Sequence, residues 1–239
     1  MNNFTSDLML ENRDGLLVIT LNRAQKANAL SIEMTRGLAE ALQRARGDSA
    51  VRGVLITGAG ERVFSAGVDM RQASTLPEAE FRQARSTAFF AVLIALVDFE
   101  KPVVAAVNGV ASGGGFMIAA LADVIVASDN AFFALPEIDL GSPPLAGLAI
   151  LAPLVGDALA YDLVQSARKL GAAEAERRGL VRAVTGTEVF ATAEKFVRDL
   201  MAKSPRAFAA SKVWMRQPMR AALEKAEHAM VEWRAAGGE

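Results

Sequence analysis

The sequence predicts an α/β core followed by a mostly helical region. Three observations lead to this prediction. Short apolar strand patterns alternate with helix patterns through the first half of the chain, and helix patterns dominate after Pro136. In addition, 52% of the residues are hydrophobic and 22% are charged, which is enough for a large buried core. With 239 residues the chain fits one domain, or one domain with a helical appendage.

The first half contains four strand patterns that are short, apolar and rich in β-branched residues. They cover residues 15–21, 51–57, 102–107 and 123–127. Ser31 is placed to cap a helix that ends near Gly47, because apolar residues recur behind it at helical spacing. Pro77 suits the first position of a second helix that we expect to reach Val97. A third, short helix is predicted over residues 116–121.

The second half is predicted to be helical, with no low-complexity linker before it. The predicted helices cover residues 145–154, 158–167, 172–179, 188–202, 206–215 and 219–235. No repeat of fixed period is visible in the sequence.

Composition excludes several classes of function. The formal net charge is -1, so no overall field attracts nucleic acid or an anionic membrane, and we expect neither as a partner. The chain has no cysteine, which excludes disulfides and thiolate nucleophiles. Its single histidine, His228, lies in a helix pattern, so a Ser-His-Asp triad has little support. We expect no metal site.

Targeting signals are not evident in the sequence. The first fifteen residues include acids and lack the apolar segment of a secretory signal. Residues 102–122 carry no charge, but glycines divide them into two apolar halves. This pattern favours a buried strand, turn and helix over a membrane span. We therefore predict a cytoplasmic location.

Phe64-Ser65-Ala66-Gly67-Val68-Asp69-Met70 follows the second strand pattern. Its small residues allow the backbone to approach a ligand closely, and Asp69 could cap a following helix. An ordinary turn is the alternative interpretation.

Gly113-Gly114-Gly115 lies between an apolar strand and an apolar helix. Glycines leave the amide N–H groups uncovered at a helix N-terminus, which would suit a developing oxyanion. The spacing is not that of a dinucleotide-binding motif, and no Walker lysine follows. Tight packing of the helix on the strand is the alternative.

Glu137 and Asp139 lie in the segment Pro136-Glu137-Ile138-Asp139-Leu140-Gly141, whose flanks are uncharged. A carboxylate in such surroundings loses solvation, so its pKa rises and it becomes a usable base near neutral pH. The alternative is a surface loop whose acids face water.

Taken in order, these pieces resemble the crotonase (enoyl-CoA hydratase/isomerase) superfamily over roughly the first 185 residues. Further matching segments are residues 19–23, 28–30, 53–58 and 101–109, together with Asp123. The resemblance implies an α/β, crotonase-like spiral of repeated ββα units with a helical C-terminal region. It places an acyl-CoA-binding core at residues 1–185 and an oligomerisation region at 186–239, which would build a homotrimer or hexamer.

The resemblance also implies an active site. The backbone N–H groups of Val68 and Gly114 would hold a thioester oxygen, and Glu137 would carry a proton. Coenzyme A would enter as part of the substrate, and no separate cofactor is implied. The implied substrate-binding residues are Lys26, Ala27, Ala29, Ala66, Gly67, Asp69, Met70, Gly113, Met117 and Leu145.

Two departures from the family pattern affect the predicted reaction. Family hydratases use two glutamates to hold water, and Met117 stands at the first of these positions. A thioether cannot exchange a proton. Leu145 stands where a hydratase commonly has a glycine that helps to position water. We therefore rank a double-bond shift in a 3-enoyl-CoA above hydration of a 2-enoyl-CoA.

Two non-enzymatic hypotheses stay open. A catalytically impaired acyl-CoA-binding protein would explain Met117. An RNA-binding role has weaker support, because it needs a lysine-rich helix face and residues 31–47 lack one.

The C-terminus departs from the family pattern as well. The family usually ends in a longer helix with aromatic and basic residues near coenzyme A, so we expect trimer closure or the adenine contacts to differ here.

Overall fold

Two sheets of unequal size organise the chain, of which the computed structural model describes residues 6–238. The larger sheet has six strands, which are, in spatial order, Leu8–Arg13 (β1), Leu16–Leu21 (β2), Gly53–Gly58 (β3), Val103–Val107 (β5), Val124–Ser128 (β7) and Ala183–Thr185 (β10). The smaller sheet has four, which are Val63–Ser65 (β4), Val110–Ser112 (β6), Phe132–Ala134 (β8) and Leu170–Gly171 (β9). Only the β1–β2 and β8–β9 pairs are antiparallel, within the described residues.

Helices fill the connections. They are Ile32–Gly47 (α1), Glu78–Val97 (α2), Gly114–Ala120 (α3), Leu145–Val155 (α4), Asp157–Ser166 (α5), Ala172–Arg177 (α6), Val189–Met201 (α7) and Pro205–Ala235 (α8). Two short 3₁₀ turns span Ala24–Lys26 and Pro136–Leu140. The predicted domain division at residue 185 falls between β10 and α7.

A repeated ββα unit generates the spiral. In each unit the first strand joins the larger sheet and the second joins the smaller sheet, after which the chain enters a helix. The three successive units are β3–β4–α2, β5–β6–α3 and β7–β8–α4. The predicted α/β spiral with a helical C-terminal region is confirmed.

Parallel pairing in the smaller sheet brings three distant segments together. Ser65 pairs with Ala111, and Ser112 pairs with Ala134, so β4, β6 and β8 end at the same edge. Because parallel strands leave a sheet on the same side, the residues that follow them must be neighbours. These residues are 66–68, 113–114 and 135–137.

The central strands of the larger sheet are buried on both faces, most completely β3 and β5. On one face Leu55, Val104 and Val126 pack against α7, which contributes Val189, Ala193, Val197 and Met201. On the other face Ile56 and Ala105 join a larger core that includes α1 and α2. Double-sided burial explains why the strand patterns are continuously apolar rather than alternating.

Several predicted elements differ from the structure. The strands of the smaller sheet were not predicted, and neither were β1 and β10. Predicted helices 206–215 and 219–235 are one helix, α8, which continues through Pro218. The separate-helix prediction was wrong because α8 buries one uninterrupted face against the core, and this packing outweighs the local cost of proline. Its buried residues are Lys212, Arg216, Met219, Leu223, Ala226 and Met230.

The start of α1 and the uncharged segment 102–122 agree with the predictions, and the start of α2 differs by one position. Ser31 does cap α1, since its Oγ accepts a hydrogen bond from Met34 N at 3.2 Å. Pro77 precedes α2 as its N-cap rather than occupying the first helical position. Residues 102–122 form β5, β6 and α3, and no helix in the described range is long and apolar enough to cross a membrane. The N-terminal targeting prediction partly concerns residues 1–5, which lie outside the described residues.

A buried ion cluster attaches α8 to the spiral. Asp123, immediately before β7, accepts hydrogen bonds from Lys212 Nζ at 2.6 Å and from Arg216 Nη2 at 3.3 Å. Lys212 also donates to Lys101 O, and Val103 N donates to Asp123. Burial lowers the pKa of Lys212 to about 8, although the negative charge of Asp123 opposes this shift. Lys212 and Arg216 therefore share the carboxylate of Asp123 as their counter-charge.

We expect Asp123→Asn to lower the free energy of unfolding by about 3–5 kcal/mol, because it leaves two buried cations without a counter-charge. Urea denaturation measures this change. Asp162→Asn is the control, because its partner Arg168 forms an ion pair at the surface and its loss should cost less than about 1 kcal/mol. Equal effects of the two substitutions would contradict the anchoring role.

Candidate active site

A cavity of about 440 Å³ opens where the segments after β4, β6 and β8 meet. Its wall includes main chain from the two glycine-containing turns and the side chain of one glutamate from the 3₁₀ turn. The predicted site residues in this wall are Ala66, Gly67, Val68, Met70, Gly113, Gly114, Met117, Glu137 and Leu145. The spiral thus brings together residues that are about seventy positions apart in the sequence.

The direction of the Val68 N–H follows from its neighbours. Leu30 N donates to Gly67 O at 2.8 Å, and Asp69 N donates to Leu30 O at 3.0 Å. In a trans peptide group the C=O and the N–H point in opposite directions. Because Gly67 O points toward Leu30, the N–H of Val68 points away from it. Among residues 6–238 this N–H has no acceptor.

The Gly114 N–H is oriented in the same way. Met117 N donates to Gly113 O at 3.0 Å, so that carbonyl points along α3. The N–H of Gly114, which shares the peptide group, therefore points out of the helix N-terminus. It too lacks an acceptor in the described part of the chain. A Cβ atom built onto Gly67 would lie 3.1 Å from Gly114 N, so the two turns are in contact.

Gly67 and Gly113 permit this contact. Their φ angles are 90° and 51°, which a residue with a side chain rarely adopts. A Cβ atom on Gly67 would lie 2.8 Å from Ser112 O, closer than real Cβ contacts allow. A Cβ atom on Gly113 would lie 3.1 Å from Glu137 Oε1. The same measurement shows that the Glu137 carboxyl group faces the glycine turn.

Buried polar side chains hold the turn after β4 in place. Ser65 Oγ donates to Asn28 O at 2.9 Å and accepts from Gly67 N at 3.2 Å. The Asn28 side chain donates to Ala59 O and Val63 O, at 2.9 and 2.8 Å. Ser65 and Asn28 are fully buried. These bonds satisfy the buried polar groups and fix the backbone that carries Val68.

Glu137 is mostly buried, and no charged side chain contributes to the shift of its pKa. Burial raises its pKa to about 7, and a hydrogen bond from its own backbone opposes the shift. Its Oε2 is buried and has no hydrogen-bond partner within residues 6–238. Asp139, on the same 3₁₀ turn, is exposed. The turn is not extended, so the two acids do not share a face. Glu137 is therefore able to take up and release a proton near neutral pH.

These features can be compared with those of known proteins. Residues 11–234 match the model of the enoyl-CoA hydratase/isomerase family. The chain belongs to this family. A carnitinyl-CoA dehydratase of Proteus mirabilis is 38% identical over 225 residues, which cover 92% of this chain and 84% of that protein.

Solved structures of similar fold are also named as enoyl-CoA hydratases or enoyl-CoA hydratase/isomerases. An enoyl-CoA hydratase from Mycobacterium avium subsp. paratuberculosis K-10 superposes with a TM-score of 0.85 at 30% identity, over 97% of this chain and 89% of the other. An enoyl-CoA hydratase/isomerase from Mycobacterium paratuberculosis has a TM-score of 0.88 at 26% identity, over 97% and 94%. The predicted crotonase resemblance is confirmed, and this family acts on acyl-CoA thioesters.

Four predicted substrate-binding residues of this crotonase lie outside the cavity wall. Lys26 is exposed, and Ala27 and Ala29 lie on the segment that packs behind the turn after β4. Ala27 O accepts from Ala66 N at 3.0 Å. Asp69 is buried and forms an ion pair with Arg23 at 3.0 Å. In this structure the Asp69 side chain holds the turn and does not face the cavity.

Sequence reasoning missed one wall of the cavity. Helix α2 contributes Arg82, Arg85 and Phe89, and the last turns of α8 contribute Met230 and Arg234. The α2 residues are spaced three and four apart, which is the signature of one helix face, but nothing in the sequence indicates that this face meets α8.

Metal binding has no candidate cluster in the described residues. Within residues 6–238 no group of three His, Cys, Asp or Glu side chains could hold a metal ion. The expectation that the protein uses neither a metal nor a separate cofactor stays a prediction.

We expect Gly67→Ala to lower the free energy of unfolding by about 1–3 kcal/mol and to weaken acyl-CoA binding. A methyl group would strain the positive φ and press on Ser112 O. Chemical denaturation and calorimetric titration measure the two effects. Gly186→Ala is the control, since a Cβ atom there meets no atom within 4 Å. Unchanged ligand binding in Gly67→Ala would contradict the close contact of the two turns.

Proposed function

We propose that this family member shifts the double bond of an enoyl-CoA thioester from C3 to C2, with Glu137 as the single proton carrier. One observation carries the proposal. Glu137 is the carboxyl group that faces the glycine turn, and Met117 lines the same cavity without any group that could activate water. The other glutamate in the wall, Glu78, lies 3.9 Å from Arg82.

The proposed reaction has two steps. The thioester oxygen accepts hydrogen bonds from Val68 N–H and Gly114 N–H. The Glu137 carboxylate removes a proton from C2, and the electron pair of the C2–H bond moves into the thioester carbonyl to give a dienolate. Glu137 then returns the proton to C4 while the C2=C3 bond forms. The two amides stabilise the negative oxygen between the steps, where preorganised donors have their largest effect.

Addition or removal of water is the second candidate. It is favoured by the similarity to carnitinyl-CoA dehydratases, whose name describes loss of water. Against it, Met117 and Leu145 make this part of the wall apolar. Neither of these two side chains offers a water molecule the polar partner that it needs to be held. We therefore rank isomerisation above hydration.

We also propose that the chain assembles with copies of itself, as a trimer or hexamer. Val213, Trp214 and Met215 form an exposed apolar group on α8, and Trp214 is 77% exposed. Such a patch favours a protein interface. The cytoplasmic location predicted from the sequence also stays a proposal.

We expect Glu137→Gln to slow isomerisation of a 3-enoyl-CoA and deuterium uptake at C2 by roughly a hundred-fold to ten-thousand-fold, since glutamine cannot accept the proton. Mass spectrometry of the thioester in D₂O measures both. The same assay on 2-enoyl-CoA distinguishes hydration, which in this solvent adds the mass of D₂O.

Asp139→Asn is the matched control, because this exposed acid lies on the same 3₁₀ turn. An unchanged rate in Glu137→Gln would overturn the proposal. A wild-type chain that binds thioesters but exchanges no proton would instead be a binding protein without turnover.

The raised pKa of Glu137 predicts how the rate of isomerisation depends on pH. Only the carboxylate form can take a proton from C2, so kcat/KM should rise with pH, pass its midpoint near pH 7 and then level off. Below the midpoint it should fall about ten-fold per pH unit. Rates measured from pH 5 to 9 test this. A midpoint at the ordinary value for glutamate would show that burial does not control the base.

A further inference from the structure

Three arginines lie in the same wall of the catalytic cavity. Arg82 and Arg85 project from α2, and Arg234 projects from the last turn of α8. Burial, followed by the positive charges of Arg85 and Arg82, lowers the pKa of Arg234. The three guanidinium groups are therefore close enough to repel one another.

The wall does not contain enough negative charge to pair with these cations. Arg82 has Glu78 at 3.9 Å, and the negative charges of Glu78 and Asp69 act on Arg85 from a longer distance. Neither Arg85 nor Arg234 has a carboxylate within 4 Å among residues 6–238. Arg85 lies over the ring of Phe81, at 5.5 Å from its centroid. Arg234 Nη1 is buried without a hydrogen-bond partner in the described range. The negative end of the α8 dipole favours a cation there but supplies no acceptor to that nitrogen.

Two of these cations, Arg82 and Arg85, lie on the helix that contacts the proposed oxyanion turn. The ring of Phe89 touches the oxyanion turn, since a Cβ atom on Gly114 would lie 2.7 Å from Phe89 Cε2. Arg85 is four residues before Phe89, and Arg82 is seven residues before it. On an α-helix these spacings correspond to about 6 Å and 10 Å along the axis, on the same face.

We propose that Arg85 and Arg234, with Arg82 beside them, bind a carboxylate at the far end of the acyl group. The substrate class would then be thioesters of short dicarboxylic acids. This inference rests on the proposed placement of the thioester at Val68 and Gly114. A guanidinium group binds a carboxylate through charge-assisted hydrogen bonds, which a buried nitrogen without an acceptor is able to form.

A phosphate of coenzyme A is the other anion in such a substrate. The long pantetheine arm separates every phosphate from the thioester, whereas Arg85 lies only one helical turn from the ring that touches the oxyanion turn. The short distance favours the acyl carboxylate. The same wall would disfavour a trimethylammonium-bearing acyl group, such as the one that the name carnitinyl-CoA describes.

Binding of saturated thioesters tests the proposal without requiring turnover. Calorimetry would compare adipoyl-CoA with hexanoyl-CoA, and adipoyl-pantetheine with hexanoyl-pantetheine, which lack the phosphates. The wild type should bind each adipoyl compound about ten-fold or more tightly than its hexanoyl partner. In Arg85→Gln/Arg234→Gln this preference should fall to about two-fold or less. Arg206→Gln removes an exposed charge on α8 and is the control.

Each contrary outcome has a defined meaning. A wild type that binds hexanoyl and adipoyl thioesters equally overturns the carboxylate site and leaves the proposed isomerase standing. If the double variant weakens both CoA thioesters and neither pantetheine thioester, the arginines bind a phosphate and the proposal is wrong. Absence of all thioester binding would overturn both proposals.

Arg85→Lys keeps the charge and should retain most of the preference for adipoyl thioesters. Complete loss of this preference in Arg85→Lys would contradict a charge-based contact.

Discussion

Close approach of two main-chain turns is the constraint on which the rest of the structure depends. Gly67 and Gly113 touch because neither has a side chain, and the wall of one cavity then includes Val68 and Gly114, whose N–H groups have no acceptor within residues 6–238. Parallel pairing of β4, β6 and β8 places both turns beside the 3₁₀ turn that carries Glu137. Hydrogen bonds to Leu30 and within α3 determine the directions of these two peptide groups, on which the proposed chemistry relies.

The sequence predicted parts of the candidate site where a residue type has one dominant physical role. Consecutive glycines before an apolar helix, and an acid between uncharged flanks, predicted the two parts of the site near Gly114 and Glu137. The sequence did not show in which direction a side chain of these segments points. Asp69 lies in the predicted segment, yet its side chain turns back to Arg23. Successive side chains of an extended segment point to opposite sides, so the position of a residue in the sequence does not show which side it faces.

Short or distant elements could not be predicted in the same way. Strands β4, β6 and β8 have three residues each, too few to show a period, and their stability comes from the neighbouring strands. The division of α8 at Pro218 followed a sound local rule that tertiary packing overrides. Arg234 and the arginines of α2 are about 150 positions apart in the sequence and line one cavity only through tertiary packing, so no local pattern could have indicated the cationic wall.

The amide donors have a consequence for how this site can vary. Every residue except proline carries a main-chain N–H, so position 68 can change its side chain without losing the donor. Side chains around the cavity can therefore change while both proposed oxygen donors persist. A scaffold whose proposed donors belong to the backbone can vary the side chains that would contact an acyl group without removing either N–H group.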